Sequence, residues 1–197
     1  MKTTVLGVTF LLSSCLLATS SIAGPSMKTG GPTTQPVGHF EFCQQYPAEC
    51  AQRANTTEPL ALSREIWAEL QMINNSANSA IEPMTDLDLW GVPEKWSYPV
   101  KRGDCEDYVL LKRRELMDSG VPAKDLLITV VRQANGDGHA VLTVRTDRGD
   151  YVLDNLEAKI LLWNKTQYRF LKRQSETDSG QWVSISDGRA PVVGSVN

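Results

Sequence analysis

The sequence predicts an α+β domain. Helical periodicity dominates the first half of the chain, strand-and-turn alternation dominates the second, and a helix apolar on several sides lies between them. Over residues 63–81, Ile66, Leu70, Ile73, Ala77 and Ile81 recur at helical spacing, with Ser63 where an N-cap belongs. Residues 83–103 hold Pro83, Gly91, Pro93, Pro99 and Gly103 beside Trp90 and Trp96, which predicts a structured loop. A second helix starts at Cys105 and runs to about residue 119, where Gly120 and Pro122 supply the stop. Tyr108, Val109, Leu110 and Leu111 cover most of its circumference, the mark of a central buried helix. Residues 126–131, 139–145 and 151–154 read as strands of an antiparallel meander, separated by Asn135-Gly136-Asp137-Gly138 and Asp147-Arg148-Gly149. Residues 168–173 and 182–185 extend this half. The expected architecture is N-terminal helices and a central helix packed on an antiparallel sheet.

The chain has 197 residues, 41% hydrophobic and 22% charged, the balance of one globular domain with short appendages. With 20 Lys and Arg against 23 Asp and Glu, it has no basic footprint for a phosphate backbone, so nucleic acid is excluded as the expected partner. The one long apolar run lies at the N-terminus, which excludes a polytopic membrane protein.

That run decides the expected compartment. Lys2 precedes an apolar stretch over 5–18, and Ser21-Ile22-Ala23 gives a small-x-small cleavage pattern. Residues 1–23 are expected to be a secretory signal peptide, and the mature protein periplasmic or secreted. A rival reading takes Leu12-Ser13-Ser14-Cys15 as a lipobox with Cys15 lipidated, but the apolar run continues through Leu16 and Leu17. A retained anchor needs more than this stretch of roughly 14 residues, because a spanning helix takes about 20. Residues 24–38, rich in Gly, Pro and Thr, are expected as a flexible lead-in, 39–186 as the domain and 187–197 as a tail.

Loss of Cys15 leaves Cys43, Cys50 and Cys105. In an oxidising compartment the close pair Cys43 and Cys50 is the natural disulfide, with two reduced buried thiols as the alternative. A continuous helix would hold their Cα atoms about 10.5 Å apart, beyond the roughly 7 Å a disulfide tolerates. Pro47 must therefore break the segment. Cys105 remains free at a helix start, where partial positive charge favours a nucleophilic thiolate. Of the two histidines, His139 at a strand start is the candidate base, and His39 is assigned a structural role. Asp154 is the candidate orienting acid, subject to parity. An even hairpin loop puts it on the sheet face of His139; a three-residue loop with a glycine bulge separates the two. Cys105, His139 and Asp154 together would perform acyl transfer.

Gly103-Asp104-Cys105-Glu106-Asp107-Tyr108, then Gly138-His139-Ala140-Val141-Leu142 and Val152-Leu153-Asp154-Asn155, resemble the bacterial transglutaminase-like cysteine proteinase family. The likeness extends over about 39–185, taking in Phe42-Cys43, Pro47, Cys50, Trp90-Gly91 and Trp96. The resemblance implies a papain-like, transglutaminase-type fold and a periplasmic peptidase. A well-known member clips the N-terminal region of a biofilm adhesin, binds calcium beside its nucleophile and is restrained by a membrane receptor that senses cyclic di-GMP. By position, the implied calcium ligands are Asp104 and Glu106, with Asp107 a further contributor. Calcium wants six to eight oxygens, so backbone and water must complete the shell. The same acids also suit a metal-free helix start, Asp104 as N-cap and Glu106 and Asp107 against the helix dipole. The competing functions are transamidation by the same triad and a non-catalytic calcium-dependent binding module. Of the tryptophans, Trp90, Trp96, Trp163 and Trp182 are expected mostly in the core rather than along a peptide groove.

Overall fold

The computed structural model describes residues 24–188. Its first surprise is in the lead-in. Residues 24–38 are not a flexible leader: Thr29–Thr33 forms strand β1, antiparallel to β9 (Trp182–Ile185), at one edge of the main sheet. The backbone N–H of Gly24 donates to Arg148 O and that of Met27 to Asp150 Oδ2, so the segment is tied to the opposite end of the same sheet as well. Gly-Gly-Pro shows no strand periodicity, but an edge position tolerates proline because one row of N–H groups needs no partner. The signal peptide expected over 1–23, Cys15 included, and most of the 187–197 tail lie outside the described residues.

Helix α1 (Val37–Gln45) and the single turn α2 (Pro47–Cys50) are separated at Tyr46. The break brings the Cys43 and Cys50 Cα atoms to 5.6 Å, and the two are disulfide-bonded. Helix α3 (Arg64–Ala80) starts where Ser63 Oγ accepts from Ile66 N–H. The loop expected over 83–103 is indeed structured. It carries α4 (Asp86–Trp90), capped by Thr85 and closed by Gly91 in the left-handed region, and a short parallel ladder of β2 (Glu82–Pro83) with β3 (Arg102–Gly103). That ladder leads straight into α5 (Cys105–Asp118).

The seven-stranded sheet runs β1-β9-β8-β4-β5-β6-β7, with β4 (Leu126–Arg132), β5 (Gly138–Thr146), β6 (Gly149–Leu153), β7 (Leu161–Leu162) and β8 (Arg169–Gln174). Every pairing is antiparallel. The period-2 pattern divides each central strand between two apolar layers. Ala140, Leu142 and Val144 of β5 face the helices with Leu70, Ile73, Val109, Leu110 and Leu116, while Val141 joins Val131, Val152, Trp163 and Phe170 on the other side. Helix α5 lies between α3 and the sheet, which is why apolar residues nearly encircle it. The α+β architecture expected from the sequence is the one observed.

Candidate active site

The hairpin settles the parity question. Thr146 pairs with Gly149 and Leu142 with Leu153, so the connection is the two-residue turn Asp147-Arg148. Counting on, Asp154 falls across from Val141, diagonal to His139 and on its side of the sheet. The His139 Nε2 to Asp154 Oδ1 distance is 2.8 Å, and both side chains are buried. Asp154 is held elsewhere too. Oδ1 accepts from Leu156 N–H at 3.0 Å, Oδ2 from the Tyr168 hydroxyl at 2.5 Å, and the backbone carbonyl from Asn78 Nδ2 at 2.8 Å. Burial by itself would raise the Asp154 pKa; the bond and charge of His139, with the Leu156 and Tyr168 donors, hold it below the ordinary value. An ionised carboxylate only accepts, so His139 carries its proton on Nε2 and leaves Nδ1 as the basic nitrogen.

Cys105 occupies the first position of α5, and its sulfur lies within hydrogen-bonding reach of the backbone N–H of Ala140, the neighbour of His139. The nucleophile, base and acid expected from the sequence thus come from α5, from β5 and from the residue that follows β6. Cys105 is the free cysteine among the described residues. Its thiol donates to Glu106 Oε2 at 3.0 Å. Burial, and then the charge of Glu106, push the Cys105 pKa up; these outweigh the helix-start effect expected to lower it.

The acidic cluster differs from the one inferred by position. Asp104 and Asp107 are brought together with Asp86, each offering a ligand oxygen within 4.8 Å of the others. Glu106 lies outside this group, hydrogen-bonded to Asp104 and accepting a hydrogen bond from the Cys105 thiol. Asp86 was missed because it lies in the proline-rich loop 18 residues before Asp104, with no spacing to mark it. One oxygen of each aspartate is buried without a hydrogen-bond partner: Asp86 Oδ1, Asp104 Oδ1 and Asp107 Oδ2. The remaining Asp86 oxygen accepts from Lys95 N–H, and Asp107 Oδ1 from Ser97 N–H at 2.8 Å. Although Asp104 stands at the N-cap, its side chain makes no capping bond, so the metal-free explanation does not account for it. Burial and then Glu106 raise the Asp104 pKa to about 8; burial raises that of Asp107 to about 7. Three grouped carboxylates, each with one buried and unpaired oxygen, are costly alone and suit a hard cation with a preference for oxygen, such as calcium.

His39 is buried on α1 against the disulfide, Trp96 and Trp182, in keeping with a structural role. Trp96, Trp163 and Trp182 are core residues. Trp90 is 48% exposed and lines, with Tyr46, Tyr98, Pro99 and Arg102, a surface groove of about 670 Å³.

The sequence profile of the bacterial transglutaminase-like cysteine proteinases matches residues 29–190. The chain belongs to this family. It is therefore a cysteine peptidase of transglutaminase-like type, and the family's match begins at β1, the strand absent from the sequence reading. Legionella pneumophila LapG is similar in structure, with 26% identity and a TM-score of 0.50 over 60% of this chain and 68% of that one. Its EGTA-treated form matches at 25% identity and 0.51, covering 64% and 75%. The calcium-bound form shares the fold at 20% identity and 0.51, covering 83% and 88%. No curated protein matches the sequence.

Proposed function

We propose that this peptidase hydrolyses a peptide bond of a protein substrate with Cys105 as nucleophile, His139 as general base and acid, and Asp154 as the orienting carboxylate. The His139–Asp154 bond at 2.8 Å, which fixes the imidazole tautomer and frees Nδ1, is the observation that carries the assignment. Nδ1 takes the proton of the Cys105 thiol as sulfur attacks the scissile carbonyl carbon. The tetrahedral intermediate collapses with cleavage of the C–N bond, and His139 passes the proton to the departing amine. Water, deprotonated by His139, then cleaves the thioester and restores the thiol. Asp154 stabilises the imidazolium at both stages without being protonated itself.

Asp86, Asp104 and Asp107 would hold a calcium ion, supported by their unpaired buried oxygens and by the calcium-bound form of LapG. When bound, it supplies positive charge beside Cys105 that offsets the acidic field of this corner. The N-terminal apolar run and the Cys43–Cys50 disulfide support export, and the family resemblance points to a cell-surface adhesin as the substrate class.

The test is alkylation of the purified protein with iodoacetamide, followed by peptide mass mapping, in calcium and in EGTA. Rapid modification of Cys105 that is lost in His139→Ala and slowed by chelation is expected. Slow labelling indifferent to His139 would overturn the catalytic assignment.

A further inference from the structure

The third layer of the site is supplied by a residue far from the motifs that mark it. Tyr168 lies between the 3₁₀ turn at Trp163–Lys165 and strand β8, on an element separate from the hairpin that carries His139 and Asp154. Its hydroxyl donates to Asp154 Oδ2 at 2.5 Å, the oxygen that His139 does not use. Its ring lies against the imidazole of His139, with centroids 5.4 Å apart and planes tilted by 53°. One side chain thus touches both the acid and the base.

We infer that Tyr168 is a positioning residue of the triad, holding the Asp154 carboxylate in the rotamer that meets His139 Nε2 and limiting rotation of the imidazole. The inference rests on the proposed triad and extends it. Asp154 sits one residue beyond the end of β6, so the ladder does not hold its backbone. A carboxylate bonded through one oxygen can swing about its χ torsions. Engagement of both oxygens from different elements, with Asn78 on α3 holding the carbonyl of the same residue, removes that freedom. The direction of the Tyr168 bond is also fixed. Burial, and then Asp154, push the phenol pKa up, so the hydroxyl stays protonated and donates to the carboxylate.

The charged and titratable groups around this pair come from each packed element. His139 faces Asp154 from β5, Lys112 acts on it from α5, Cys105 and Glu157 act on the Tyr168 phenol, and Tyr168 itself approaches from the β8 side. Of these, Tyr168 alone contacts both Asp154 and His139 without exchanging a proton in the reaction.

The experiment compares the pH profile of Cys105 alkylation by iodoacetamide in wild type, Tyr168→Phe, Tyr168→Leu and His139→Ala. Loss of the hydroxyl weakens the carboxylate form of Asp154. The acid limb of the Tyr168→Phe profile should therefore move up by about one pH unit, equivalent to about a tenfold loss of rate on that limb. Melting temperature should stay near that of wild type, since the ring remains. Tyr168→Leu should lose more, at all pH values. A second readout is independent of rate. The sequence has two histidines, so side-chain ¹⁵N NMR can resolve His139 from His39. Wild type should give the Nε2–H tautomer, and Tyr168→Phe a mixture.

A Tyr168→Phe protein with the wild-type profile and tautomer would overturn the inference. So would a uniform fall in rate that follows a fall in melting temperature, since that is a purely structural effect. If His139→Ala leaves alkylation unchanged, the triad itself fails; if it abolishes alkylation while Tyr168→Phe does nothing, only the role of Tyr168 fails.

Discussion

Lys112 should be a liability that costs the folded protein stability at neutral pH. It lies on α5 two turns beyond Cys105, fully buried, with its Nζ lacking a hydrogen-bond partner among the described residues. Burial lowers its pKa from 10.5 to about 7, against the opposing pull of Asp154. At about 1.4 kcal/mol per pH unit, the drop from 10.5 to about 7 corresponds to about 5 kcal/mol against folding where the amine is charged in both states. The sign follows from proton counts. Between pH 7 and 10.5 the unfolded chain binds the proton that the folded chain rejects, so stability rises with pH through this window and the full penalty stands below it. Lys112→Met keeps the length of the side chain and removes the charge. Replacement of a buried charge by an apolar group of similar volume stabilises by roughly 1–4 kcal/mol, so a gain of about 2 kcal/mol is expected at pH 6, shrinking towards pH 10. Urea unfolding followed by tryptophan fluorescence at pH 6, 7.5 and 9 measures it. A variant less stable than wild type at pH 6, or equally stabilised at pH 6 and 9, would refute the claim that Lys112 is held as a penalised buried amine.

Calcium should raise the melting temperature of wild type, by about 2.7 kcal/mol of stability at a hundredfold excess over the dissociation constant, and Asp104→Asn should abolish that shift in differential scanning fluorimetry. In EGTA the Asp104 carboxyl, raised from 3.8 to about 8, retains a proton that the unfolded chain gives up, so stability should fall as pH rises from 4 to 8 and the fall should flatten in Asp104→Asn. Gly103→Ala should destabilise by roughly 1–3 kcal/mol and weaken calcium binding measured by calorimetry, because the new Cβ would stand 2.5 Å from Asp107 Oδ2 and 2.7 Å from Asp107 Cβ. Replacing both Cys43 and Cys50 with Ala should cost roughly 2 kcal/mol in urea unfolding, from the short loop they close. The loss should also loosen Glu49 on α2, whose carboxylate pairs with buried Arg113 of α5 at 3.1 Å.

How much of this was legible differs from element to element. The periodicity over 63–81 gave α3 with its Ser63 cap, and the near-continuous apolar surface after Cys105 marked α5 as central, because both patterns are imposed by local geometry and a single buried face. β9 was read at its observed limits and β4, β5, β6 and β8 within two residues of theirs. By contrast β1 has no pattern at all. Thr-Gly-Gly-Pro-Thr becomes a strand only because β9 presents an open edge, and a partner 150 residues away leaves no mark on local sequence.

The site divides the same way. The sequence by itself determined the types and order of the chemical groups: a free cysteine at a helix start, a histidine at a strand start, an aspartate one hairpin later, and a disulfide pair split by Pro47. Only the tertiary structure decided their geometry. The two-residue turn fixed the parity that brings Asp154 to His139, a choice the sequence left open between two loop lengths. Packing of α4 beside the start of α5 brought Asp86 to Asp104 and Asp107, and the path into β8 brought Tyr168 onto Asp154. The physical reason is the same in each case. Chain-local sterics and hydrophobic period are written into neighbouring residues, whereas the meeting of a carboxylate with its cation or its hydrogen-bond donor depends on how whole elements dock.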